Sequence, residues 1–169
     1  MAEMSMKEQQ IWHRFLKQAD TKALFFAVVT LNYDDETSLH PLVQRILIDE
    51  TMDLAVVKAF YFRLGPGYLK QYATRDEAPS YLDDTYQLME ELEEKVATGF
   101  YTKNEFYYDP THDFGENWLE AYPDIAVKKQ IPAIMASALD GEADLVVEEP
   151  WESFEDGLPF ELVEKLYED

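Results

Sequence analysis

The clearest helical pattern in the chain lies in residues 80–99, which read SYLDDTYQLMEELEEKVATG. Their apolar side chains recur three and four positions apart, which is the spacing of one face of an α-helix. Ser80 stands where a helix cap is expected and Gly99 where a helix ends, so we predict a helix over residues 80–98. Its apolar face would consist of Leu82, Thr85, Leu88, Met89, Leu92 and Val96.

The opposite face of this predicted helix is crowded with carboxylates. We term the set the acidic ridge, and it comprises Asp83, Asp84, Glu90, Glu91 and Glu94. A lone run of charge on a helix usually faces solvent and nothing else. The ridge is not alone, because a second acidic set lies near the end of the chain, and we therefore predict that both contact a partner.

The second set belongs to residues 141–169, termed here the acidic C-terminal segment. From residue 142 onward Lys165 is the only cation, and aromatic side chains recur beside the carboxylates. Aromatic residues next to charge are typical of protein interfaces, although they can equally fix a segment to the core. The predicted contact residues in this segment are Glu148, Glu149, Trp151, Glu152 and Glu155.

Negative charge dominates the chain as a whole. Thirty-five Asp and Glu residues against fourteen Lys and Arg give a formal net charge of -21 over 169 residues. Such a field attracts cationic surfaces and repels nucleic acid and anionic membranes. We therefore expect a basic protein partner, with no direct contact to nucleic acid or to a membrane, while the oligomeric state stays open.

Helical signals also run through the rest of the chain. A helix is predicted from Ser5, and residues 22–31, which are apolar nearly all round, could form a buried helix or a buried strand. We favour the helix. Further helices are predicted from the cap at Ser38 through residue 47, and over residues 54–64, 125–139 and 159–167. Within residues 125–139, Pro132 must lie near the true start of the helix or mark a break in it.

Only residues 100–109 favour an extended conformation, because they mix Tyr, Phe and Thr and end at Pro110. Residues 145–148 are the partner that we expect for them. The predicted fold class is therefore mainly α, with at most this one short β-hairpin. The length of 169 residues favours a single helical domain spanning residues 1–169.

The location that we expect is the cytoplasm. The chain contains no cysteine, and its longest uninterrupted apolar run, residues 23–29, is far shorter than the roughly 20 residues of a membrane-spanning helix. The first residues lack the apolar core of a secretory signal.

Few residue patterns suggest catalysis or metal binding. His112 and Asp113, or a group of Asp34, Asp35, Glu36 and His40, could be imagined around a metal, but the chain has only three histidines. Turn chemistry also explains the neighbouring aspartates. We expect no catalytic residue, no metal and no cofactor, and we keep a carboxylate-metal hydrolase as an alternative.

Several short motifs occur in a familiar order: Leu31-Asn32-Tyr33-Asp34-Asp35, Asp53-Leu54-Ala55, Gly99-Phe100-Tyr101 and Tyr108-Asp109-Pro110. Over about residues 10–110 the chain resembles the bacterial domain-of-unknown-function 4274 family (DUF4274). The resemblance implies a small, mostly helical, bacterial cytoplasmic protein, and it carries no assigned reaction.

These observations predict a non-enzymatic acidic binding protein. Its most concrete form is an inhibitor or immunity-type protein that neutralises a basic toxin such as a nuclease. One alternative is a DNA mimic that binds a nucleic-acid-binding protein. Another explanation is that the acidity is only a solubility or salt-adaptation trait.

Overall fold

The computed structural model describes residues 4–34, 37–146 and 148–168. Two capped helices open it, α1 (Met6–Gln18) and α2 (Thr21–Thr30). The Ser5 hydroxyl accepts a hydrogen bond from the first turn of α1, and the Asp20 carboxylate does the same for α2. The choice of helix over strand for residues 22–31 is confirmed.

Helices α3 (Pro41–Ile48) and α4 (Leu54–Arg63) follow. The predicted cap at Ser38 is wrong, because the Nδ1 atom of His40 accepts the hydrogen bond from the amide of Leu42, at 3.1 Å. Helix α3 therefore begins later than expected and leaves Leu39 outside it. Helix α4 packs against α2 and is buried nearly all round, which makes it the centre of the core.

A short helix, α5 (Pro66–Leu69), and two 3₁₀ turns, Arg75–Glu77 and Ser80–Leu82, lead into α6 (Asp83–Ala97). The helix predicted over residues 80–98 is confirmed, except that its first turn is 3₁₀. Tyr86 is fully buried where the pattern favoured Thr85. Its hydroxyl donates to the carbonyl of Tyr72, which satisfies the polar end of the buried ring.

The helix predicted over residues 125–139 is wrong in extent, although Pro132 does lie at a helix start as expected. Only α7 (Ala133–Ala136) forms there, and Pro132 immediately precedes it. Proline disfavours helical geometry in the residue before it, so a helix cannot run through this position easily. The amide of Lys128 instead donates to the carbonyl of Lys70, which holds the non-helical stretch against α5.

A three-stranded sheet places β1 (Phe106–Tyr108) between β2 (Leu139–Asp140) and β3 (Ala143–Asp144). Strand β2 is antiparallel to β1, with Tyr108 opposite Leu139, and β3 is parallel to it, with Phe106 opposite Ala143. The chain thus crosses over β1 between β2 and β3.

A second, two-stranded sheet is the hairpin of β4 (Phe154–Glu155) and β5 (Leu158–Pro159), which leads into α8 (Phe160–Leu166). The two turn residues, Asp156 and Gly157, both have positive φ angles, of 50° and 89°. Such angles are typical of the tight turns that join hairpin strands, and Asp-Gly is a sequence that favours them.

The predicted mainly α class is therefore wrong. Helical residues make up 51% of the structure and strand residues 9%, so the fold is mixed α/β with helices dominant. The predicted pairing of residues 100–109 with residues 145–148 is also wrong. Strands of two or three residues leave no alternating pattern to detect, and the partners of β1 lie a few residues earlier than expected.

Candidate protein-binding surface

The acidic ridge lies on α6 as predicted, but its carboxylates are not equivalent. Asp83 is bound by Arg75, whose guanidinium reaches both carboxylate oxygens at 2.6 Å and lowers the pKa of that carboxyl. Glu91 lies 4.0 Å from Lys95 on the next turn. The remaining members, Asp84, Glu90 and Glu94, are exposed to solvent. Those three and Glu91 therefore supply most of the negative charge that the acidic ridge presents to solvent.

Glu93 also lies on α6, but it turns inward and does not belong to the ridge. It binds the buried ammonium of Lys70 at 2.8 Å and accepts a hydrogen bond from the hydroxyl of Tyr61 at 2.6 Å. Burial, together with this carboxylate, raises the pKa of Tyr61. The helix thus uses one carboxylate for the core and presents the others to solvent.

The acidic C-terminal segment is docked on the body of the protein. Phe154 and Leu158 are buried in the core, and the hairpin of β4 and β5 packs against α2. Glu148 binds Lys22 at 2.7 Å in an ion pair that solvent reaches. Of the predicted contact residues, Glu149, Glu152 and Glu155 are exposed.

Trp151 is partly exposed to solvent and partly packed against the body of the protein. Half of its side chain is exposed, while its ring meets the ring of Phe114 edge to face at 5.4 Å. The other aromatic residues of the segment divide in the same way: Phe154 is buried, whereas Phe160 and Tyr167 remain exposed. Docking of the segment on the core accounts for the burial of Phe154. The rings of Trp151, Phe160 and Tyr167 remain accessible to a partner.

Two neighbouring surface grooves are each bordered by one of the acidic sets. A shallow groove of about 330 Å³ holds Asp84 and Glu91 of the ridge, and a larger one of about 1080 Å³ holds Glu155 of the C-terminal segment. Leu39 and Gln44 line both grooves. The structure therefore brings part of the ridge and part of the segment to either side of one boundary.

Leu39, between the two grooves, is an exposed apolar side chain that the predicted helix start does not explain. A helix capped at Ser38 would include Leu39 in its first turn, but Leu39 is 73% exposed because α3 begins only after His40. Ile48, at the other end of α3, is 74% exposed and lines the larger groove. Recognising the cap at His40 would have revealed Leu39, but His is not among the usual N-cap residues.

His40 itself is held neutral beneath this surface. Burial lowers its pKa to about 4, and its ring meets the indole of Trp12 edge to face at 4.4 Å. Because Nδ1 accepts the hydrogen bond from Leu42, the proton of the neutral ring is on Nε2. The side chain thus serves as a helix cap and a packing group at physiological pH.

The residues considered as metal ligands are dispersed. Asp113 is fully buried and accepts hydrogen bonds from both terminal nitrogens of Arg63, at 2.7 and 2.9 Å, and from Tyr108 and Trp118. Those donors hold its pKa below the usual value despite its burial. His112 is exposed and contacts Asp109 at 3.3 Å.

The amide of Asp34 joins a turn by donating to the Asn32 side chain, while Asp35 and Glu36 lie outside the described residues. Within residues 4–34, 37–146 and 148–168, no three His, Asp or Glu side chains are placed to share a metal ion. The same ranges contain no helix long and apolar enough to cross a membrane.

Comparison of the chain with protein-family models, curated proteins and solved structures gives no match. The resemblance to the DUF4274 family consequently stays a prediction.

Proposed function

We propose that this protein binds a basic protein partner and acts by occupying that partner's cationic surface, without catalysing a reaction. In its most concrete form it is an inhibitor or immunity-type protein that neutralises a basic toxin, such as a nuclease, in the cytoplasm. The observation that supports this most is the position of Leu39, which is exposed between Asp84 and Glu91 on one side and Glu155 on the other.

An apolar centre within a charged rim is the usual anatomy of a protein interface. Here Leu39 and Ile48 would supply the centre, and the carboxylates of α6 and of the hairpin would supply the rim. Apolar contacts mainly determine how long a complex lasts. Exposed like charges, by contrast, mainly accelerate encounter with a partner of opposite charge.

The net charge of -21 makes a basic partner the favoured class. A nuclease or another nucleic-acid-binding toxin has a cationic groove that normally receives phosphates, and carboxylates at comparable spacing can fill it. An inhibitor of this kind binds one toxin. A DNA mimic would bind several unrelated DNA-binding proteins, so the breadth of binding separates the two functions.

Affinity capture from the native cell at low salt is the first test of this function. We expect one basic protein to be retained, with an association rate that falls as salt is raised from about 50 to 500 mM, because screening shortens the range of electrostatic steering. The dissociation rate should change much less. An association rate that does not depend on salt would contradict charge-steered binding.

A further inference from the structure

The larger of the two grooves combines an apolar lining with charged side chains. It lies between α1, α3 and α8, has a volume of about 1080 Å³, and is closed at one end by the hairpin of β4 and β5. Its buried lining includes Trp12, Leu16 and Leu158. Leu39 and Ile48 are exposed along the α3 side. A volume of this size lies at the upper end of the range of small-molecule sites, which reach roughly 1000 Å³.

The charged residues along this groove are unbalanced. Glu8, Glu155 and Asp156 contribute three carboxylates, of which that of Asp156 accepts a hydrogen bond from the backbone amide of Asn32 at 3.0 Å. Arg45 is already bound to Asp49 at 2.8 Å, and its guanidinium also donates to the backbone carbonyl of Leu16. Lys17 is the other lysine or arginine of the lining. A chain entering the groove therefore meets an apolar floor flanked by the carboxylates of Glu8 and Glu155 and by the ammonium of Lys17.

We propose that this groove receives a basic, amphipathic segment of the partner protein. The inference rests on the proposed function and deepens it by naming the part of the partner that is bound. Large apolar side chains of the segment pack on Trp12 between Leu39 and Ile48, and flanking Lys or Arg side chains pair with Glu8 and Glu155. Placing an amphipathic helix in an apolar groove is a recurrent mode of recognition.

Charge also argues against a second copy of this chain as the occupant. Two copies would each bring a net charge of -21, and a two-fold contact would place the groove carboxylates of one copy near those of the other. An anionic membrane surface is disfavoured for the same reason. A cationic protein segment satisfies both the apolar floor and the acidic flanks.

Two synthetic peptides of equal charge test the inference. One, of about 14 residues, has Leu and Lys at helical spacing, and the other replaces every Leu by Ser. Titration at about 50 mM salt, followed by anisotropy of a dye on the peptide, should show at least tenfold tighter binding of the Leu/Lys peptide. The double variant Leu39→Ser, Ile48→Ser should remove that advantage.

Matched control variants distinguish binding in the groove from non-specific binding elsewhere on the surface. Leu119→Ser with Val127→Ser removes two apolar side chains that are 42% and 44% exposed and do not line the groove, and this variant should bind like the parent. Glu8→Gln with Glu155→Gln should weaken both peptides, because it removes two flanking charges. Leu39 and Ile48 are largely exposed, so their replacement should leave the thermal unfolding midpoint nearly unchanged.

Three results would overturn the inference. Equal binding of the two peptides would show that charge alone attracts them, and the proposed function would stand without the groove. Self-association of the parent in sedimentation experiments that is lost on Leu39→Ser, Ile48→Ser would make a second copy the occupant. No binding of either peptide at low salt would contradict the groove and the proposed function together.

Discussion

Gly157 lies directly against the indole of Trp12. A Cβ atom built on this glycine would be 2.7 Å from the Cη2 atom of the ring, closer than real side chains approach. The backbone amide of Gly157 also donates to the hydroxyl of Thr30 at 3.1 Å. The tip of the C-terminal hairpin is therefore fixed to both α1 and α2, and this contact positions Glu155 at the groove.

Gly157→Ala should destabilise the protein by about 2–3 kcal/mol. About 1 kcal/mol comes from an L-residue at a φ of +89°, and the rest from the collision with Trp12. Urea unfolding followed by tryptophan fluorescence measures the change. Gly99→Ala is the matched control, because Gly99 has a similar φ of +78° with nothing within 4 Å of the added carbon. Equal losses in the two variants would contradict the close packing.

Asp113→Ala should be among the most damaging single changes, with a loss of about 3–5 kcal/mol. It leaves the guanidinium of Arg63 buried without its carboxylate, and an uncompensated buried charge is costly. Thermal and urea unfolding report the loss. Asp83→Ala, which breaks the solvent-exposed pair with Arg75, should cost far less. If Asp113→Ala were as mild as Asp83→Ala, the buried pair would not be essential to the fold.

His40 should make stability depend on pH between about 4 and 6.5. Its pKa is lowered to about 4 in the folded protein, so the unfolded chain binds the proton more readily. The stabilisation is complete above the unfolded pKa and is lost as the pH falls toward 4, by about 3 kcal/mol. His40→Asn retains a helix cap without a titrating group. The difference in stability between parent and variant should change with pH in that direction, and a constant difference would refute the assignment.

Local signals in the sequence were sufficient to predict α1, α2, α4 and most of α6. Ser5, Asp20 and Asp53 accept hydrogen bonds at the starts of α1, α2 and α4 as their residue types predict. Periodicity likewise placed the acidic ridge on the solvent face of α6. These features depend on residues within one or two turns of each other, and single-sequence patterns report such relationships well.

The small sheets depend on contacts that no local pattern encodes. Gly141 allows the chain to pass over β1, since a Cβ atom there would lie 2.3 Å from the carbonyl carbon of Phe106. The residues around Gly141 carry no local pattern that predicts its contact with Phe106, which lies 35 positions earlier. The exposed apolar side chain of the candidate binding surface is equally hidden from local patterns, because the exposure of Leu39 follows from the cap at His40 and from the packing of α3 on α1.

The acidic surface can be tested by reversing its charge at two places. The first variant changes Asp84, Glu91 and Glu94 to Lys, and the second changes Glu148, Glu149 and Glu152 to Lys. The first leaves the apolar face of α6 intact and relieves repulsion between neighbouring turns, so its stability should be equal to that of the parent or higher by a few tenths of a kcal/mol. Circular dichroism and urea unfolding confirm that each variant is folded.

The decisive measurement is the affinity of each folded variant for the basic protein captured from the native cell at low salt. We expect charge reversal on α6 to weaken binding at least tenfold, which is about 1.4 kcal/mol. The second variant then shows whether the C-terminal carboxylates share the contact. If both variants remain folded and bind the partner as tightly as the parent, the acidic residues only face solvent and the proposed function is wrong.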